Sequence, residues 1–159
     1  DVYKRQELEN GDVLFAAKKF NEAELLYPQS EWAPKAALMA AYSYYSQDYY
    51  FDAEYELKRF LKVYPNEKSI PYAHYLLGMV YYEKIIDEKK DIGPLVQAEE
   101  KFRFIEKNYP ETDFALDSSY KLNLIQDYLA SKEMYIGVHY VKKKKWNAAI
   151  NRFKNVVNN

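Results

Sequence analysis

The sequence predicts an all-α fold, a superhelix of stacked helical hairpins (an α-solenoid). The first observation is an internal repeat. The pattern Gly78, Tyr81, Ala98, Phe102, Ile105, Pro110 returns as Ala41, Tyr44, Ala53, Leu57, Phe60, Pro65 and as Gly137, Tyr140, Ala149, Phe153, Val156. A first copy shows its later part only, as Ala16, Phe20, Ala23, Pro28. Self-similarity of this kind marks a stack of supersecondary units, none of which buries its apolar faces alone. The second observation is composition: 4 glycines in 159 residues, few β-branched residues, and plentiful Ala, Leu, Lys and Glu, which favour helix. The third is punctuation, since Tyr27-Pro28, Tyr64-Pro65 and Tyr109-Pro110 each close an apolar stripe.

These signals place helices over about 3–11, 13–27, 31–46, 49–64, 70–87, 95–108, 112–143 and 146–157. Ser30 is suited to cap the third helix, and Ser69 to cap the fifth, with Pro71 in its first turn. On 31–46, Ala37, Ala40, Ala41 and Tyr44 share one face, and the small side chains admit a close partner. That partner, 49–64, answers with Ala53, Leu57 and Phe60. The next pair repeats the logic, with His74, Leu77, Gly78 and Tyr81 against Ala98, Phe102 and Ile105.

Two departures break the period. Tyr81 and Ala98 are eight residues further apart than Tyr44 and Ala53, and the excess holds a charged insertion over 87–94, read as a solvated loop. After Pro110 no proline or glycine occurs until Gly137, which predicts one long helix over 112–143, about 45 Å if unbroken. The single array then comprises units over about 1–30, 34–67, 71–112 and 130–159, the last expected to run past Asn159.

Charge and composition narrow the function. A net charge of −1 gives no bias toward nucleic acid or an anionic membrane. Four lysines over 142–145 complement the dipole at a helix C-terminus, a better reading than membrane contact. No cysteine is present, so disulfides and thiolate metal sites are excluded. No apolar run approaches the roughly 20 residues needed to span a bilayer. His74 and His139 lie on different helices, and His74 falls on a packing stripe, as a core histidine does. No phosphate loop, zinc motif or nucleophile elbow occurs, so neither catalysis nor a cofactor is expected.

Tyrosine is in excess, with 18 copies. On 31–46 the face left free by the repeat stripe carries Lys35, Leu38, Tyr42 and Tyr45; on 70–87 it carries Tyr72, Tyr75, Met79 and Tyr82. A face open to water alone would be Lys, Glu and Gln, whereas apolar surface held in common by neighbouring helices marks binding. A peptide ending in an aromatic residue would seat its ring among the tyrosines, with Lys35 near its carboxylate. The alternative is that the helices over 3–27 cover this hollow and bury the rings.

The offsets of the repeat resemble the tetratricopeptide (TPR) repeat over nearly the whole chain. Within that class, Tyr-Pro-x-Ser/Thr-x-x-Ala at Tyr27 to Ala33 and Tyr109 to Ala115 resembles the BamD (ComL) lipoprotein family of Gram-negative bacteria. So do the run from Leu57 to Pro65, the insertion before Ala98, the long helix, and above all the stretches Leu129 to Tyr140 and Trp146 to Arg152. The resemblance implies a scaffold at the periplasmic face of the outer membrane, in the machinery that assembles β-barrel proteins there. It implies that unfolded barrel proteins are held in the N-terminal groove. It further implies docking on the POTRA domains of a BamA-type barrel subunit through the region of Tyr140, Trp146, Asn151 and Arg152, with contact to other lipoproteins of the complex. Arg152 lies away from the packed stripe of Ala149, Phe153 and Val156, at the rim, where arginine suits carboxylate pairing; its other reading is a solvated side chain. Membrane attachment in that family runs through a lipid-carrying cysteine, expected upstream of Asp1. Two alternatives stay open: another periplasmic adaptor of this repeat class, and an accessory array attached to a larger enzyme.

Overall fold

The computed structural model describes residues 12–87 and 92–158. Seven helices and no strand occur among them: α1 (Val13–Leu26), α2 (Ala33–Tyr45), α3 (Tyr50–Val63), α4 (Ile70–Asp87), α5 (Gly93–Asn108), α6 (Asp113–Lys142) and α7 (Trp146–Asn158). The helix expected over 3–11, and residues 88–91 of the insertion expected over 87–94, lie outside the described residues.

Each helix packs on the next along the chain. Beyond these neighbours, α2 meets α4 and α4 meets α6, whereas α1, α3, α5 and α7 make no comparable contact with one another among the described residues. One row of helices is therefore drawn closer than the other. A two-layer stack with unequal rows curves, and the tighter row (α2, α4, α6) lines the inner side. This is the all-α, TPR-type architecture that the repeat predicts.

The stripes bury as their spacing requires. Ala37 and Ala41 of α2, Ala53, Leu57 and Phe60 of α3, Leu77 and Tyr81 of α4, and Ala98, Phe102 and Ile105 of α5 join one core cluster. Phe60 and Phe102 are wholly enclosed; burying such a ring stabilises by about 1.5–3 kcal/mol. His74 is only half-buried, its ring 4.4 Å from that of Phe104. At Gly78 the α5 ring of Phe102 lies close against the α4 backbone: a Cβ there would sit 2.8 Å from it.

Helix ends depart from expectation in instructive ways. Asp12 caps α1, its Oδ1 accepting from the Phe15 N–H at 3.2 Å. Ser30 does not cap α2. Its hydroxyl accepts from the Trp32 N–H within a separate turn, and α2 begins at Ala33 with Pro34 in its first turn. Proline lacks the N–H that a first helical turn would leave unpaired, so it sets the start. Pro94 does the same for α5, which begins two residues before the expected position. The turns inside the α2/α3 and α6/α7 hairpins share one geometry. Asp48 and Lys144 hold φ of 62° and 56°, and the next N–H reaches back to Tyr44 and Tyr140 at 3.0 Å each.

A polar staple ties α1 to α3. Glu24, buried on α1, accepts two hydrogen bonds from the Arg59 guanidinium at 2.8 and 2.6 Å, and one from the Tyr64 hydroxyl at 2.8 Å. Arg59 also donates to Glu56 at 2.9 Å. Burial works against the charge on Glu24, but Arg59 and Tyr64 outweigh it, and the carboxyl is held below its ordinary range.

Candidate functional site

The inner row brings together residues from three helices. Tyr42 is open to solvent, and Tyr45 on the next turn of α2 is half-buried, 6.3 Å from the Tyr50 ring. Along α4, Tyr72, Tyr75, Met79 and Tyr82 are each partly buried. Their neighbours come from α6, a contribution that the repeat pattern does not reveal. Phe114 stacks at 5.5 Å from Tyr72 and 5.3 Å from Tyr75. Asp117 accepts a 2.6 Å hydrogen bond from the Tyr75 hydroxyl. The Lys121 ammonium lies 4.9 Å over the Tyr82 ring. Phe114, Asp117 and Lys121 follow i, i+3, i+7, so the signal for a third wall is present in the long helix, although no repeat copy flags it.

The tyrosines form one electrostatic neighbourhood. Burial pushes the Tyr72 hydroxyl up to about 12, with the Tyr42 and Tyr45 hydroxyls adding to it. Burial likewise raises Tyr75, helped by its hydrogen bond to Asp117. Tyr45 is raised by burial and by Glu83. The Tyr45 and Tyr72 phenols stay protonated at neutral pH and carry hydrogen-bond donors on an apolar wall, whereas the Tyr75 hydroxyl is already donated to Asp117.

Two expected members behave differently. Leu38 belongs to the core, 8% exposed, and offers nothing to the hollow. A tyrosine at the edge of a packed face keeps its hydroxyl wet, whereas a leucine has no polar end and sinks. Lys35 is exposed, but its ammonium lies 4.4 Å over the Trp32 ring on its own helix start. Helix α1 packs on α2 and reaches α3 through Glu24, whereas α2 meets α4 and α4 meets α6.

The second candidate surface is the α6/α7 hairpin. Trp146 opens α7 at 59% exposure, and Asn151 is exposed on the following turn. Tyr140 is half-buried, its ring 6.2 Å from His139. Arg152 is not a free rim cation: its guanidinium binds Glu133 of α6 at 3.0 Å, and Asn155 donates to the same carboxylate at 2.9 Å. The hairpin thus holds Arg152 in a fixed direction while leaving it 40% exposed. Glu133 lies 19 residues away from Arg152, outside any local pattern.

Among the described residues no group of three or more His, Cys, Asp or Glu side chains is placed to hold a metal ion, and no helix is long and apolar enough to cross a membrane. The curved two-row stack of helical hairpins defines a helical-repeat protein of the tetratricopeptide class. Residues 2–159 match the YfiO family, described as outer membrane lipoprotein, and the chain belongs to that family. It is similar to proteins named outer membrane protein assembly factor BamD. Identity is 37% over 150 residues with that of Caulobacter vibrioides, covering 94% of this chain and 49% of the relative. It is 39% over 144 residues with that of Rickettsia prowazekii, covering 91% and 57%, and 26% over 163 residues with that of Neisseria gonorrhoeae, covering 96% and 61%. The chain therefore spans about half to three fifths of the length of these relatives.

Proposed function

We propose that the chain is a receptor and scaffold segment of the machinery that assembles β-barrel proteins in the outer membrane. The hollow between α2, α4 and α6 takes the C-terminal segment of an unfolded barrel protein, and the α6/α7 hairpin docks on the POTRA region of the barrel subunit. The names of the relatives support the process. The observation that carries the receptor reading is the continuous aromatic wall of Tyr42, Tyr45, Tyr72, Tyr75 and Tyr82, completed by Phe114, Asp117 and Lys121. Apolar rings that also carry hydroxyls bind an extended chain through ring contacts and backbone hydrogen bonds, without demanding one sequence.

The test is a titration with a synthetic peptide ending in an aromatic residue and a free carboxylate. Joint replacement of Tyr42 and Tyr75 by Ala is expected to weaken binding at least tenfold while the helical circular dichroism persists. Equal affinity of the variant and the parent overturns the groove. Docking is tested by pull-down with an isolated POTRA array, in which Arg152→Ala is expected to lose the partner.

A further inference from the structure

On the other side of α4 from the tyrosines lies a second site. Leu77 and Tyr81 point about 160° away from Tyr75 and Met79 round the helix. Almost wholly buried themselves, they lie at the base of an open cleft of about 460 Å³ between α3 and α5, within the roughly 300–1,000 Å³ range of ligand-sized clefts. Its construction is regular: Lys58 and Lys62 from α3, Leu77 and Tyr81 from α4, and Gln97 and Lys101 from α5, each an i, i+4 pair one helical turn long. Leu61 adds to the apolar part, and Glu100 stands on the rim.

The charges are unbalanced. Three lysines line the cleft against one carboxylate. Glu100 is paired only loosely with its chain neighbour Lys101, at 3.3 Å, and is 71% exposed. Lys58 is held at 2.6 Å by Glu54, whose carboxylate also serves Lys84 and accepts from the Tyr81 hydroxyl at 3.1 Å. Among the described residues Lys62 makes no ion pair. An apolar floor between two cationic banks calls for an apolar side chain flanked by carboxylates, and the Gln97 amide at the edge offers both a donor and an acceptor to a peptide backbone.

We infer that this cleft on the outer side of the stack binds a short acidic segment of a partner protein, an aliphatic or aromatic residue in the floor with Asp or Glu on either side. A lipid surface fits less well, because the floor is recessed between helices and the rim carries Glu100, which an anionic membrane surface repels. The site is separate from the tyrosine groove and does not depend on that groove's function.

The experiment uses the whole chain and a fluorescein-labelled, C-amidated hexapeptide of alternating aspartate and leucine, followed by fluorescence anisotropy. Binding is expected to weaken as salt rises, and to fall at least tenfold in Lys62→Glu and in Lys101→Glu. Lys18→Glu, the same charge change on exposed α1, is expected to stay within twofold, as is the Tyr42→Ala, Tyr75→Ala pair. Should either charge reversal lower the melting temperature, Lys62→Ala replaces it, with at least a threefold loss expected. Unchanged affinity in Lys62→Glu and Lys101→Glu overturns the inference. So does a loss confined to vesicles of phosphatidylglycerol while peptide binding persists.

Discussion

Gly137 of α6 lies beneath the ring of Phe153 of α7, so close that a Cβ built on it would stand 2.3 Å from Cε1. The same pairing at Gly78 and Phe102 leaves 2.8 Å. The corresponding positions of the α2/α3 hairpin are Ala41 and Leu57, both wholly buried. Small against large is a matched choice in each hairpin, and the larger ring demands the glycine.

Gly137→Ala is therefore expected to destabilise by about 1–3 kcal/mol through overpacking, and Gly78→Ala by less. Adding Phe153→Leu to Gly137→Ala copies the Ala41 and Leu57 solution and is expected to recover most of the loss. Urea unfolding of the two single variants and the double variant measures this. A double variant weaker than the sum of its parts would refute the matching.

Glu24→Gln removes the charge that Arg59 and Tyr64 hold. Charge-assisted hydrogen bonds of this kind make the expected loss about 2 kcal/mol. The sign with pH follows from the depressed carboxyl. The folded chain keeps Glu24 ionised below its ordinary range, so the staple's contribution is full above about pH 4.5 and fades as pH falls through the lowered value. Glu24→Gln is expected to flatten the acid limb of a melting-temperature profile.

His74 has its own acid window. Burial, with Lys101 nearby, pushes its imidazole down to about 4, and its Nδ1 is buried without a hydrogen-bond partner among the described residues. An unfolded imidazole takes up its proton near pH 6.5. Between about pH 6.5 and 4 the unfolded chain binds the extra proton, so stability drops as pH falls through that interval. His74→Leu is expected to remove this slope and leave the steeper loss below pH 4.5 in place, as read from urea midpoints at half-unit pH steps.

Lys144 holds φ at 56° in the α6/α7 turn, a left-handed conformation that costs an ordinary side chain roughly 1–2 kcal/mol. Asp48, at the matching place in the α2/α3 turn, is of a type that tolerates it. Lys144→Asn is expected to raise the midpoint of thermal unfolding by a few degrees, equivalent to about 0.5–1 kcal/mol. A fall in the midpoint would count against the turn geometry.

Much of this was legible along the chain, and the reasons are local. Ala98, Phe102 and Ile105 declare their face because a 3.6-residue period is a property of neighbours in sequence. Tyr42 and Tyr75 declare theirs by being aromatic where solvation alone would select Lys or Glu. What sequence reading missed is pairing at a distance. Glu24 finds Arg59 at 35 residues, and Arg152 finds Glu133 at 19. Asp117 meets Tyr75 only because α6 folds back beside α4. Leu38 sits at the margin between the packed and open faces of α2, where one turn of pattern does not decide and burial does.

Helix α6 is one unbroken rod of 30 residues, and α7 has it as its only substantial packing partner among the described residues. The first half of the rod is clamped by α4 and α5 through Phe114, Asp117 and Ser119, whose hydroxyl binds Glu106. The second half still packs on the core at Leu129 and carries the terminal hairpin at its tip. A bend of about 10° at mid-length would carry that tip roughly 4 Å sideways, given a rise of 1.5 Å per residue. The aim of Trp146 and Arg152 relative to Tyr42 and Tyr75 thus depends on how straight this one helix stays between its two ends.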